Sequence, residues 1–316
     1  MAEAPAPAAP AEPAEPAGPA ARCGFVALIG APNVGKSTLV NALVGAKISI
    51  VTPKVQTTRT LIRGIALADA AQLIFVDTPG IFAPRRRLDR AMVGTAWSST
   101  QDADIVALIV DSRTGIKDDD EAVLGRLAEI RAAKALVLNK VDLVAKPALL
   151  ALTQALNARA SFAATFMISA LSGDGVADLK AWFAAHVPPG PWLYPADQIS
   201  GAPLRQLAAE ITREKLYLRL HQELPYQSTV ETELWKELRD GSVRIEQTIY
   251  VERESQRKIV LGKAGATIKA IGAASRADIA AAIEQPVHLF LFVKVREGWG
   301  DDPERYREIG LEFPKE

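Results

Sequence analysis

Gly30-Ala31-Pro32-Asn33-Val34-Gly35-Lys36-Ser37-Thr38 places four residues between two glycines and follows them with Lys and Ser, the spacing of a phosphate-binding loop. A polyphosphate needs many donors close together. Backbone N–H groups supply them where side chains stay out of the way, as Gly30 and Gly35 allow. Lys36 puts a positive charge on the β- and γ-phosphates, and Ser37 offers a hydroxyl to Mg²⁺. The apolar run Phe25-Val26-Ala27-Leu28-Ile29 before the loop predicts a strand, and Leu39–Val44 after it predicts a helix whose N-terminus favours anions.

Two later segments decide the base. Gln72–Asp77 is an apolar strand ending in Asp77-Thr78-Pro79-Gly80, which places Asp77 at the Mg²⁺ shell and the Gly80 N–H at the γ-phosphate. Ala135–Leu138 ends in Asn139-Lys140-Val141-Asp142. The Asp142 carboxylate can accept from guanine N1 and N2, donors that adenine lacks, so an adenine complex would leave it unpaired. Asn139 can reach guanine N7 and tie this loop to the phosphate loop, and the Lys140 stem can cover the base. Ser169-Ala170-Leu171 can present a backbone N–H to guanine O6. The order and spacing resemble the translation-factor-like GTPases, which implies GTP hydrolysis with Mg²⁺. In that class a Thr closes onto Mg²⁺ and the γ-phosphate, and Thr58 in Gln56-Thr57-Thr58-Arg59 is the matching residue. Ile81 stands where some GTPases carry a water-orienting Gln. Slow intrinsic hydrolysis is therefore expected, helped by a partner, a cation or backbone groups. Asn33 resembles a phosphate-loop Asn that coordinates K⁺ in GTPases with this substitution. The expected catalytic group is Lys36, Thr58, Gly80 and Asn33. The expected metal ligands are Ser37, Thr58 and Asp77, and the residues expected to contact the nucleotide are Gly30–Thr38, Asp77–Ile81, Asn139, Lys140, Asp142 and Ser169–Leu171.

Strands are expected near 24–29, 61–67, 72–77, 104–110, 134–138 and 164–168, with helices between. That alternation predicts a mostly parallel sheet with helices on both faces and the nucleotide at the strands' carboxyl ends. The chain's 316 residues suffice for two domains, and its formal net charge of +0 means that any nucleic-acid site is local. A single cysteine, Cys23, excludes an internal disulfide, and His186, His221 and His288 have no metal-ligand spacing. No apolar run approaches the roughly twenty residues of a membrane span. The Ala/Pro/Glu-rich start lacks the pattern of a signal peptide and is expected to be disordered, so a cytoplasmic location follows.

Pro188–Trp192 ends the first domain. After it come an amphipathic helix from about Leu204 to Leu220 and an alternating strand, Val243–Val251. Gly262-Lys263-Ala264-Gly265 then opens a helix, reading as a turn that follows an apolar strand. Such a loop lets a single-stranded backbone lie against main-chain N–H groups, as in KH domains. Arg253, Arg257, Lys258, Lys263 and Lys269 are the candidate phosphate contacts. From Gly241 to Arg296 there are nine Lys/Arg against five Asp/Glu. Val287–Val295 is the last expected strand.

A phosphate-loop GTPase followed by this KH arrangement closely resembles the Era GTPases, over about residues 22–300. The matching motifs are Gly-Ala-Pro-Asn-Val-Gly-Lys-Ser-Thr, Gln-Thr-Thr-Arg, Asp-Thr-Pro-Gly-Ile-Phe, Asn-Lys-Val-Asp, the Val251–Gly265 segment and Lys294–Trp299. Ala264 departs from the family's frequent Gly. The resemblance implies an α/β GTPase domain (22–187), a linker (188–203) and an α+β type II KH domain (204–300), flanked by tails at 1–21 and 301–316. It implies GTP/GDP with Mg²⁺, binding of 16S rRNA near its 3′ end, help in small-subunit assembly, RNA-stimulated turnover, peripheral inner-membrane association and a monomer. Open alternatives are a membrane-associated signalling GTPase whose KH-like domain binds protein, an ATPase with an RNA tail, and a scaffold with negligible turnover.

Overall fold

The computed structural model describes residues 21–54, 57–84, 86–221 and 224–298, with Pro303, Tyr306, Leu311 and Phe313 beyond them. Gln56, Arg85, Trp299 and the Ala/Pro-rich residues 1–20 lie outside the described residues.

Six strands form the first sheet: β1 (Arg22–Ile29), β2 (Ile62–Ala68), β3 (Ala71–Asp77), β4 (Ile105–Asp111), β5 (Ala133–Asn139) and β6 (Ala164–Met167), in the order β2-β3-β1-β4-β5-β6. All neighbours pair in parallel except β2, which runs antiparallel to β3. The β3 and β4 strands are buried along their whole length, as a sheet covered on both faces requires. One core packs α1 (Lys36–Val44) and α5 (Val176–His186) under β1 and β3. The other packs α2 (Arg87–Ser98), α3 (Asp118–Arg126) and α4 (Lys146–Asn157) on the opposite face.

The 188–203 segment is pinned along the edge of this sheet. Gln72 Oε1 accepts the N–H groups of Leu193 and Tyr194, and its Nε2 donates to Tyr194 O at 2.7 Å. Ile65 N donates to Ile199 O, and Gly201 N to Arg63 O. The chain is thereby delivered to the second unit in a fixed place. There α6 (Leu204–Arg219) and α8 (Ala266–Ile283) cover one face of a sheet of β7 (Ser228–Glu237), β8 (Val243–Val251) and β9 (Val287–Val295). The β7–β8 pair is antiparallel and the β8–β9 pair parallel.

One expected element is different. The residues before Gly262 form a helix, α7 (Glu254–Leu261), and not an apolar strand. Ile259-Val260-Leu261 imitates a strand, but Gln256 Oε1 accepts the N–H groups of Glu252 and Arg253 and so caps a helix start. Val260 is the buried residue of that helix. The far C-terminus is also engaged: Tyr306 and Leu311 are buried against Ala91 and Met92 of α2, and Arg87 lies over the Phe313 ring at 5.1 Å.

Candidate GTP site and nucleic-acid interface

The phosphate loop joins β1 to α1 and holds Gly30, Asn33 and Gly35 at positive φ. Gly35 at φ 102° is the N-cap of α1 and has no side chain that could cap it, so the helix's first N–H groups stay available to a ligand. Lys36 is buried and donates to Gly30 O at 3.0 Å and Ala31 O at 2.9 Å. Burial lowers its pKa to about 8, against the pull of Asp77 and Asp120. A cavity of about 400 Å³ opens beside it, lined by Pro32, Asn33, Gly35–Thr38, Thr58, Thr78 and Gly80. Gly80 sits so close to Pro32 that a Cβ there would lie 2.9 Å away, so the Asp-x-x-Gly turn packs directly on the phosphate loop.

Ser37, Thr58 and Asp77 meet as expected. Ser37 Oγ lies 2.9 Å from Thr58 Oγ1 and donates to Asp77 Oδ2 at 2.7 Å. Ser49, which sequence reading missed, also donates to Asp77 Oδ2, at 2.7 Å. Its position is set from α1: Asn41 accepts from Ile48 N and Ser49 N and donates back to Ser49 O. The other carboxylate oxygen, Asp77 Oδ1, is buried with no hydrogen-bond partner. Burial pushes this carboxyl's pKa up, and the Ser37 and Ser49 hydroxyls and Lys36 oppose the rise. An orphaned carboxylate oxygen beside two hydroxyls fits a small, hard cation that keeps several waters, which is Mg²⁺ chemistry.

The base pocket is a second cavity of about 160 Å³, lined by Gly35, Thr38, Asn139, Lys140, Asp142, Leu143 and Ser169–Leu171. Asn139 is its organiser. Its Nδ2 donates to Val34 O at 2.8 Å, and its Oδ1 accepts from Lys140 N and Ala170 N. One buried amide thus ties together the phosphate loop, the Asn-Lys-x-Asp loop and the Ser-Ala-Leu loop. Lys140 adopts φ 63° and spans from Asn33 O to Asp111 Oδ2, at 2.6 and 2.7 Å. Asp142 is exposed at the mouth, and Leu171, 85% exposed, forms its apolar rim.

Some expected contacts take other roles. Ile81 is not brought to the phosphates: its side chain is buried in the core with Ala27 and Ile29, and its N–H donates to Gly30 O. An apolar residue after the turn gains more from the core than from a wet cavity. Ala31 and Val34 are likewise buried, and Pro79 is buried beside Thr78, whose hydroxyl donates to Leu28 O. These residues shape the loop. Asn33 donates its side-chain amide to Pro53 O at 3.0 Å, which links the phosphate loop to the segment carrying Thr58. Arg113 lines the phosphate cavity, and no motif had marked it.

In the second unit, Gly262 and Gly265 have φ 72° and 74°, and Ala264 between them has φ 51°, an uncommon conformation for a residue with a Cβ. Gly265 is the N-cap of α8, so that helix begins at the loop. Arg253, Lys258, Lys263 and Lys269 are exposed around it, and Ile259 adds an apolar surface 57% exposed. Arg257, intermediate in exposure, is tied to neighbouring groups of its own domain. Its Nε donates to Val293 O and its Nη1 to Glu254, because a half-buried guanidinium needs local acceptors.

A phosphate cradle coupled to an acidic base reader, on this strand order, makes the first domain a phosphate-loop GTPase. A family model described as a 50S ribosome-binding GTPase matches residues 25–140, and a KH-domain model matches residues 223–300. GTPase Era of Bradyrhizobium diazoefficiens is 70% identical over 295 residues, 93% of this chain and 96% of the relative. GTPase Era of Brucella suis biovar 1 is 66% identical over 293 residues, 93% and 94% of the two chains. The chain belongs to the Era family of GTPases. Among solved structures, Era with MgGDPNP and nucleotides 1506–1542 of 16S ribosomal RNA superimposes with a TM-score of 0.87, at 34% identity, covering 92% of this chain and 99% of that one. A variant of Aquifex aeolicus Era bound to GDP·AlF4⁻ gives the same TM-score and coverage at 35% identity.

Proposed function

We propose that this GTPase is a nucleotide-gated RNA clamp that binds 16S rRNA near its 3′ end through the Gly262–Gly265 loop and assists assembly of the small ribosomal subunit. The observation that carries this reading is the near-complete superposition on an Era solved with both MgGDPNP and that RNA segment. Bound Mg²⁺ would neutralise phosphate charge. The chain's own part is to hold the triphosphate on the N–H groups of Gly35–Thr38, to place Lys36 against it and to close Thr58 over it. RNA phosphates would lie along the start of α8, with Lys263 and Lys269 beside them. The protein is read as cytoplasmic and monomeric, with peripheral membrane association. Among the described residues no helix is long and apolar enough to cross a membrane.

The test is binding of a labelled oligonucleotide matching the 16S rRNA 3′ end, with a GTP analogue, with GDP and without nucleotide. Tight binding with the analogue alone is expected. Equal binding in all states removes the gate, and no binding in any state removes the RNA role. Lys263→Glu should weaken the oligonucleotide by about tenfold or more, since it reverses a charge at a phosphate contact. A protein-docking KH domain would be little affected.

Potassium is proposed to accelerate turnover through Asn33. Its amide nitrogen is held by Pro53 O, which leaves the amide oxygen as the atom to face a cation. Turnover in K⁺ is expected to exceed turnover in Na⁺ by about tenfold, the equivalent of roughly 1.4 kcal/mol of barrier. Equal rates would exclude the role.

A further inference from the structure

The segment that carries Thr58 is held mainly by the KH domain. Lys47 donates to Glu214 of α6 at 2.7 Å and to Asp278 of α8 at 3.2 Å. Val51 N donates to the second Glu214 oxygen at 2.9 Å. Burial alone would raise the Glu214 pKa, but the donors Lys47, Val51 N–H and Lys215 outweigh it and hold the carboxyl below its usual range. Lys54 donates to Tyr217 O and Leu220 O. Thr57 O accepts from Arg213, which is itself paired with Glu210.

Arg59 makes the most of these ties. It is 6% exposed, and its guanidinium reaches into the KH domain. It donates to Ser228 O and Tyr217 Oη at 2.9 Å, and to Pro225 O and Tyr226 O at 3.2 Å. The acceptors among these bonds are three carbonyls and a phenol. A buried cation held this way is stable only while every acceptor is in place, so it fixes register more than it adds stability. The residues on both sides of Thr58 are therefore fastened to α6 and the Pro225–Ser228 turn. Thr58 itself reaches Ser37 Oγ at 2.9 Å and Asp77 Oδ2 at 3.5 Å.

We infer that Arg59 is a positioning residue, and that the KH domain, by gripping Arg59, Thr57 and Lys54, completes the γ-phosphate-sensing site of the GTPase domain. The inference deepens the gated reading by giving the gate a physical path: the KH domain must be seated for Thr58 to close, and a closed Thr58 holds the KH domain seated. The coupling is reciprocal in binding free energy. GDP makes no demand on Thr58 and should be indifferent to the latch.

The experiment uses the full chain with Arg59→Lys, which keeps the charge but loses the fork, and Tyr217→Phe, which removes a single acceptor. Affinities for a GTP analogue with Mg²⁺ and for GDP are compared, and hydrogen exchange of the Thr57–Thr60 amides is followed without nucleotide. Arg59→Lys should weaken the analogue about tenfold with GDP unchanged, speed exchange at those amides, and have no further effect when added to Thr58→Ala. Tyr217→Phe should shift both readouts the same way by a smaller factor. Unchanged analogue-to-GDP ratios in both variants, or additive loss with Thr58→Ala, would overturn the inference. These readouts need no RNA. If wild-type protein binds RNA equally in all states while the ratio still shifts, the gated reading fails and the latch stands.

Discussion

In the Asp142→Asn variant, GDP affinity is expected to fall about 100-fold, and a xanthine nucleotide should become the preferred ligand. The carboxylate can accept from both N1–H and the exocyclic N2 amine of guanine. Each charge-assisted bond contributes roughly 1.5–3 kcal/mol, so losing one acceptor and gaining a misplaced donor supports a change of about that size. Xanthine keeps N1–H but carries a carbonyl at C2, which the new amide N–H₂ would match. Asp142 stands exposed at the pocket mouth, so the substitution leaves no buried group stranded in the free protein. Competition titrations with GDP, XDP and ADP check this. An unchanged preference for GDP would mean that the base is read elsewhere in the pocket.

That this pocket could be assigned from sequence reflects how short-range its chemistry is. Asp77, Asn139 and Ser169 each lie at or just after a strand end, and an apolar strand followed by a loop is legible from local pattern alone. The same locality explains the near agreement of the sheet strands with their expected spans. What was not legible depends on partners far along the chain. Ser49 acts only because Asn41 bends the loop back to Asp77, 28 residues away. Arg59 has a role only because its acceptors lie beyond residue 216. Ile81 looked like a ligand by position, yet its side chain is buried in the core, and the Arg257 guanidinium is tied to Val293 O and Glu254 of its own domain. The strand expected before Gly262 failed for a local reason. Three apolar residues outweighed a capping glutamine three positions into the helix.

Gly35→Ala should cost nucleotide affinity on the order of 100-fold or more, for GTP and GDP alike. The residue has φ 102°, where a Cβ is strained, but strain is the lesser effect. The added Cβ would lie 2.3 Å from Asn139 Nδ2, well inside contact distance. Asn139 cannot simply swing aside. Its amide is buried, and its three bonds hold Val34, Lys140 and Ala170. Moving it shifts the phosphate loop and both base-reading loops together, and displacements near 1 Å at such sites cost about 100-fold. Gly45→Ala separates the two effects. Gly45 also has positive φ, at 81°, but a Cβ there would meet nothing within 4 Å. It should lose about 1–2 kcal/mol of stability while nucleotide affinity stays unchanged. Calorimetric titration of GDP into both variants, with thermal melts alongside, distinguishes them. Equal nucleotide affinities would show that left-handed strain, and not the Asn139 junction, governs the site. A selective loss in Gly35→Ala would show that phosphate and base recognition share one buried amide, so that neither can be altered without the other.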